Sequence, residues 1–264
     1  MERWRGRVAL VTGASSGIGA AVCENLVKNE LKVVGIARRI EKMQDLYEKL
    51  KTEKGTFLPI KCDITKDEDI YSLFDQIKEK FGGVDICVNN AGICGTGLGL
   101  LDGTTEEWRQ MYNVNVIAIC LCSKLTVKSL QERNLDDGHI INISSIAGHC
   151  VQNVRELHFY TATKFSLKAL SEGLRQELQS INSGIKLSVI SPGLVKTEIL
   201  RDISLDSSFN KNIMELNTSL KPEDIAQTVS QILAAPSYME VLDMLVVPRG
   251  KPMVDGKGRS MDMK

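Results

Sequence analysis

No sign of charge dominates this chain of 264 residues. Its 33 basic and 33 acidic side chains cancel, and no run of like charge is long enough to follow a polyanion, so nucleic acid is not an expected partner. Long apolar runs are missing as well. The opening MERWRGRVALVTG sets three arginines before a short apolar stretch that turns at once into glycine and serine, too early for a signal core or a membrane span. A cytoplasmic protein is therefore expected. CxxC pairs are absent: the seven cysteines (Cys23, Cys62, Cys87, Cys94, Cys120, Cys122, Cys150) are odd in number and lie mostly in apolar segments, as reduced thiols used as small hydrophobes do. His149, Cys150 and His158 share one loop, but neither HxxxH nor CxxC spacing accompanies them, and no metal site is expected. Repeats, low-complexity tracts and Pro/Gly linkers are lacking too, and the length suits one large α/β domain.

What is present is an alternation. Short apolar runs rich in Val and Ile recur at RVALVTG, LKVVGIA, TFLPIKCD, VDICVNNAG, GHIINISS and IKLSVISPG, with a weaker one at MLVVP, each of strand length. Between them the apolar spacing predicts helices over 17–29, 41–53, 67–81, 104–133, 160–181 and 222–234. Thr104 with Glu107 fits a capping box, and Pro222 followed by Glu223 and Asp224 suits a first helical turn. A βαβ rhythm with near-continuous apolar strands predicts an α/β fold: a Rossmann-type, doubly wound parallel sheet of about seven strands, flanked by helices, with ligands at the strand C-termini. The connections 93–103, 146–159 and 194–221 are longer than this plan needs, and all follow predicted strands. They are expected to gather at the ligand edge and shape a substrate site.

The segment VALVTGASSGIGAAV runs a strand into a glycine-rich turn and then a helix. Gly13 permits the tight turn, Gly17 lets the backbone approach a pyrophosphate, and Gly19 lets the helix pack closely, while the helix N-terminus offers N–H groups to an anion. Gly13, Ser15, Ser16, Gly17, Ile18 and Gly19 are thus the candidate cradle of a dinucleotide, although the spacing is TGxxxGxG and not GxGxxG. The second strand ends in Ala37-Arg38-Arg39, with no acid for ribose hydroxyls. Arg38 or Arg39 can pair with a 2′-phosphate, so NADP(H) is the expected cofactor. Tyr160 and Lys164 stand four apart on a predicted helix, which brings an ammonium near a phenol and is expected to lower its pKa from ~10 toward working pH, making Tyr160 a candidate general acid. Ser144 and Ser145 end a strand at the same edge, where a hydroxyl can orient a substrate oxygen toward Tyr160.

These motifs resemble the classical branch of the short-chain dehydrogenase/reductase family, from Val8 to Thr197. The resemblance implies that Ser145 rather than Ser144 is the catalytic serine, and that Asn115 of MYNVNV holds a water relay to Lys164. It places Asp63 against the adenine, makes Asn90, Ala91 and Gly92 of NNAG a cofactor-lining turn, and brings Pro192, Gly193 and Val195 to the nicotinamide with Thr197 at a phosphate. The gap from Ser145 to Tyr160 is slightly longer than the family's usual one, so the local loop shape is expected to differ. Hydride transfer between NADP(H) and a small apolar alcohol or carbonyl, steroid or isoprenoid, is implied. Ile146, Val151, Val154, Leu157, Leu194, Ile199, Leu200, Phe209, Ile213 and Met214 lend the long connections an apolar lining that suits such a substrate. Leu167, Leu170, Leu174 and Leu178 exceed what one sheet face needs, and a homodimer or homotetramer is expected. The rivals are the extended branch, whose glycine spacing and larger C-terminal domain are missing, and an NADP(H)-sensing binding protein without turnover. The intact set Asn115, Ser145, Tyr160 and Lys164 speaks against the second.

Overall fold

The computed structural model describes residues 1–200, the last by its backbone only, and 219–249. Its strands are Val8–Thr12 (β1), Lys32–Ala37 (β2), Thr56–Lys61 (β3), Ile86–Asn89 (β4), His139–Ile143 (β5), Lys186–Pro192 (β6) and Asp243–Val246 (β7). All pair in parallel in the order β3-β2-β1-β4-β5-β6-β7. This is a Rossmann-type doubly wound sheet, and the order reverses between β1 and β4, which opens a crevice beyond their C-terminal ends.

The helices are Gly17–Lys28 (α1), Ile40–Leu50 (α2), Asp67–Phe81 (α3), Thr105–Tyr112 (α4), Ala118–Gln131 (α5), His158–Ser180 (α6) and Pro222–Ala234 (α7). Local chemistry sets several ends. Asp67, Glu68 and Asp69 complement the first turn of α3, and Gly82 stops it at φ 87°. Pro222 opens α7, and the Asp224 carboxylate accepts the Lys221 N–H at 2.8 Å. At α4 the expected box is half made: Thr104 Oγ1 accepts the Glu107 N–H, but the Glu107 carboxylate turns away to the N–H and hydroxyl of Thr96. The helix expected over 104–133 is also not uniform. Between α4 and α5 the residues Asn113–Ile117 form a π turn, so one extra residue is inserted where Asn115 lies.

Alternate strand residues face opposite sides, giving two cores. On one side Val11, Val88, Ile141 and Ile190 pack with Val22 and Leu26 of α1, Met43 of α2 and Val229 of α7. On the other Leu10, Val34, Cys87 and Ile140 meet Ile70 and Leu73 of α3 and Cys122 of α5. Thr105–Gln131 taken as one helix is long and apolar enough to cross a membrane by length and composition alone, yet half of its most apolar window is buried inside the protein. The cysteines are all free, with Cys120 alone among them exposed.

Candidate active site

Ser145, Tyr160, Lys164 and Asn115 converge beyond the C-terminal ends of β4 and β5. Ser145 caps the short helix Ile146–Gly148, and its Oγ accepts the Ala147 N–H at 3.1 Å. Its proton is not spent there, and the Ser145 hydroxyl acts on the Tyr160 phenol, favouring its ionised form. Ser144, by contrast, is buried with its Oγ unpartnered among the described residues. Of the two serines, only Ser145 meets the phenol.

Lys164 lies one turn on from Tyr160, as the spacing required, but its Nζ sits 5.6 Å from the ring centroid and donates to the Ile143 carbonyl at 3.0 Å. Both side chains are buried. Burial dominates the electrostatics: it pushes the Tyr160 phenol well above its ordinary pKa, the Cys94 thiol adds to the rise, and the Ser145 hydrogen bond opposes it. The expected depression of Tyr160 is therefore not found: desolvation of the phenolate is the largest effect, and burial also lowers the Lys164 ammonium to about 8. At neutral pH the phenol is protonated, the form in which it can give a proton.

Asn115 sits at the π turn with its side chain wholly enclosed. Its Oδ1 accepts the Ile93 N–H at 2.9 Å, while its Nδ2 donates to the Ile93 carbonyl at 2.9 Å and to Thr163 Oγ1 at 3.0 Å. Thr163 passes the chain on to the Tyr160 carbonyl at 2.7 Å. The amide thus pins the segment after β4 to α6. No direct hydrogen bond joins it to Lys164.

The glycine turn is braced from β4. Gly13 has φ +71°, and a Cβ on Gly19 would lie 2.3 Å from the Gly13 carbonyl oxygen, so side chains are excluded at both. Thr12 Oγ1 accepts the N–H groups of Asn90 and Ala91, and Asn90 Nδ2 donates to the Thr12 carbonyl at 2.9 Å. Asn90 therefore supports the turn rather than facing outward. Ile18 packs on the first core, and Thr197 places its methyl 3.1 Å from where a Gly17 Cβ would be. Gly92 is open: a Cβ there would be 3.4 Å from Asn115 Oδ1 and 3.9 Å from Lys164 Nζ. Ser16 begins α1 without its side chain capping it, which leaves the helix N-terminus for an anion.

Arg38 and Arg39 part company. Arg38 is exposed and its charge acts on Asp63. Arg39 Nη2 lies 3.3 Å from both Ser15 Oγ and Ser16 Oγ. Asp63 Oδ1 accepts from the N–H and hydroxyl of Thr65; these bonds and Arg38 outweigh the larger opposing effect of burial and hold its carboxyl below the usual range. Pro192 is buried at the end of β6, Val195 packs its side chain into the first core, and the Gly193 N–H is spent on the Val246 carbonyl at 2.8 Å. Gly193 cannot offer that N–H to a nicotinamide amide without breaking a sheet bond.

The whole arrangement can be compared with known proteins. A sequence model of the family described as short chain dehydrogenase matches residues 7–208. The chain belongs to the short-chain dehydrogenase family. It is 45% identical over 251 residues to human dehydrogenase/reductase SDR family member 11, covering 94% of this chain and 96% of that one. It is 38% identical over 252 residues to the farnesol dehydrogenase of Aedes aegypti, covering 95% and 99%. A metagenomic short-chain oxidoreductase solved in complex with NADP superposes with a TM-score of 0.77 at 28% identity, over 94% of this chain and 99% of its own. The protein is therefore an oxidoreductase of this family, and a nicotinamide dinucleotide is its cofactor class.

Around Tyr160 the short-chain dehydrogenase site is walled by apolar groups. Cys94, Met111 and Ala147 form one buried cluster with the tyrosine, and Ile93, Val154, Leu157, Phe159 and Ile199 pack on it. Val154, Leu157 and Ile199 thus lie where the sequence reading put them, whereas Val151 points outward, 64% exposed. Phe209, Ile213 and Met214 lie outside the described residues. His149, Cys150 and His158 do not converge: His149 Nε2 meets Ser191 Oγ at 2.9 Å, and His158 Nε2 faces the Gln152 carbonyl at 3.2 Å. Sequence reasoning missed three groups here. Thr163 links Asn115 to Tyr160, Cys94 borders the phenol, and Glu198 reaches Arg39. The Thr163 position one turn before Leu167 carried no signal beyond helical spacing.

Proposed function

We propose that this chain is an NADP(H)-dependent alcohol dehydrogenase or carbonyl reductase acting on an extended apolar substrate of steroid or isoprenoid type. The observation that carries the reading is a single one: Tyr160, its phenol acted on by Ser145 and its ring 5.6 Å from Lys164 Nζ, is set in an otherwise apolar buried cluster. The nicotinamide, when bound, supplies or takes up the hydride. Ser145 holds the substrate oxygen, Tyr160 gives it a proton or takes one away, and the buried Lys164 steadies the charge that develops on the phenolate. Asn115 keeps the β4 connection and α6 in register for that transfer. The braced glycine turn, the uncapped start of α1 and the cationic Arg39 fit a phosphorylated dinucleotide. The farnesol dehydrogenase relative supports the isoprenoid side of the substrate range.

We place the protein in the cytoplasm, in keeping with its free thiols, and assign it a homodimer or homotetramer through α4, α5 and α6. Tyr112, Ile117, Phe165 and Leu170 are exposed apolar groups on those helices and their π turn, and a monomeric mass by light scattering would remove the assembly. The activity is tested by following NADPH and NADH consumption with a panel of apolar ketones and aldehydes. Turnover with NADPH that falls by at least about a hundredfold in Tyr160→Phe is the expected result. Equal behaviour of Tyr160→Phe and wild type, with NADPH still bound, would favour a nucleotide sensor.

A further inference from the structure

The chain ends β2 without an acid, yet the fold delivers one to that place from far along the sequence. Glu198 follows the Thr197 that packs on the glycine turn, and its carboxylate lies 3.1 Å from Arg39 Nη2 and 3.1 Å from Lys42 Nζ. The same Arg39 nitrogen is the one that meets Ser15 and Ser16 at 3.3 Å. This cation pair and these hydroxyls suit a phosphate on the adenosine ribose. We propose that Glu198 is a specificity-determining residue for the cofactor: it occupies Arg39 and Lys42 in place of a 2′-phosphate, and thereby limits the preference for NADP(H) over NAD(H). The inference rests on the cofactor reading given above.

Charge decides who wins the contest. A phosphate monoester carries about −1.5 to −2 at pH 7 and three acceptor oxygens, against one charge and two oxygens on Glu198. The phosphate therefore displaces the carboxylate, but only against the attraction Glu198 already has for both cations. With no phosphate present, the carboxylate stays on the two cations. Arg39, Lys42 and Glu198 are 47%, 40% and 28% exposed, so the effect is screened by salt and modest in size.

The test is a fluorescence titration of NADPH and NADH against the full chain, which reads binding and not turnover. Glu198→Gln, and separately Glu198→Ala in case one replacement perturbs the loop, is expected to tighten NADPH about threefold to tenfold while NADH binds equally or more weakly. The gain should shrink at high salt and vanish in an Arg39→Ala, Lys42→Ala background. An NADPH-to-NADH affinity ratio unmoved in both Glu198 variants overturns the proposal and leaves the cofactor reading standing. A ratio change that persists without the two cations also overturns it. A wild type that binds neither dinucleotide removes the cofactor reading itself, and Glu198's role with it.

Discussion

On the α1, α2 and α7 side of the sheet, the C-terminal halves of β4, β5 and β6 are apolar, with Val88, Ile141 and Ile190 meeting Leu26 and Val229. On the α5 and α6 side, β4 and β5 finish in amides. Asn89 donates to Asn142 Oδ1 at 2.8 Å and to Ser123 Oγ of α5 at 3.0 Å, and Asn142 donates to Ser171 Oγ of α6 at 2.9 Å. All four are buried. The first face packs by shape, which tolerates small slips of a helix; the second ties two strands and two helices by directed bonds, which do not. Tyr160, Lys164 and Asn115 all stand on the second side. A catalytic group must be held to within a fraction of an ångström, and a satisfied polar ladder beneath it supplies that constraint.

The comparison can be broken from either side. Leu26→Ala, on the apolar face, should cost about 3 kcal/mol in chemical denaturation while the folded fraction keeps its turnover. Asn142→Leu should cost about 2 kcal/mol, since Asn89 and Ser171 lose partners in a dry interior, and should also lower kcat in the folded fraction. Equal loss of turnover per folded molecule in both variants would end the distinction. The effect that is smallest for each step taken sharpens it by pH. His139, buried at the start of β5 far from the site end, meets Ser188 Oγ at 2.9 Å, and burial lowers its pKa to about 3. Below about pH 6.5 the unfolded chain gains a proton that the folded one refuses, so stability should fall by roughly 1 kcal/mol per pH unit until the folded value is reached. Denaturation curves for His139→Leu should be flatter across that window, whatever the activity profile does.

Much of this molecule was legible early. The strands and most helix ends follow from apolar period and turn chemistry, and the helices predicted over 67–81 and 222–234 have those bounds. Asn115 lies inside the helix predicted over 104–133, and a π turn interrupts that helix there. What escaped were meetings between distant residues. Glu107 abandons its own helix cap for Thr96, because the β4 connection folds back over it. The Asn89–Asn142 bond joins residues 53 apart, and the Arg39–Glu198 contact residues 159 apart. No local pattern announces either.

The division has a physical cause. Apolar alternation, the positive φ at Gly13 and the shared helix face of Tyr160 and Lys164 depend on backbone geometry over a few residues, so the sequence by itself determined them. The protonation of Tyr160 and Lys164 and the company of Arg39 depend on how much water is excluded and which charges come near. Those quantities exist only once the chain has folded. The tertiary structure alone decided that burial raises the Tyr160 phenol, and that an acid absent from the end of β2 arrives from beyond β6.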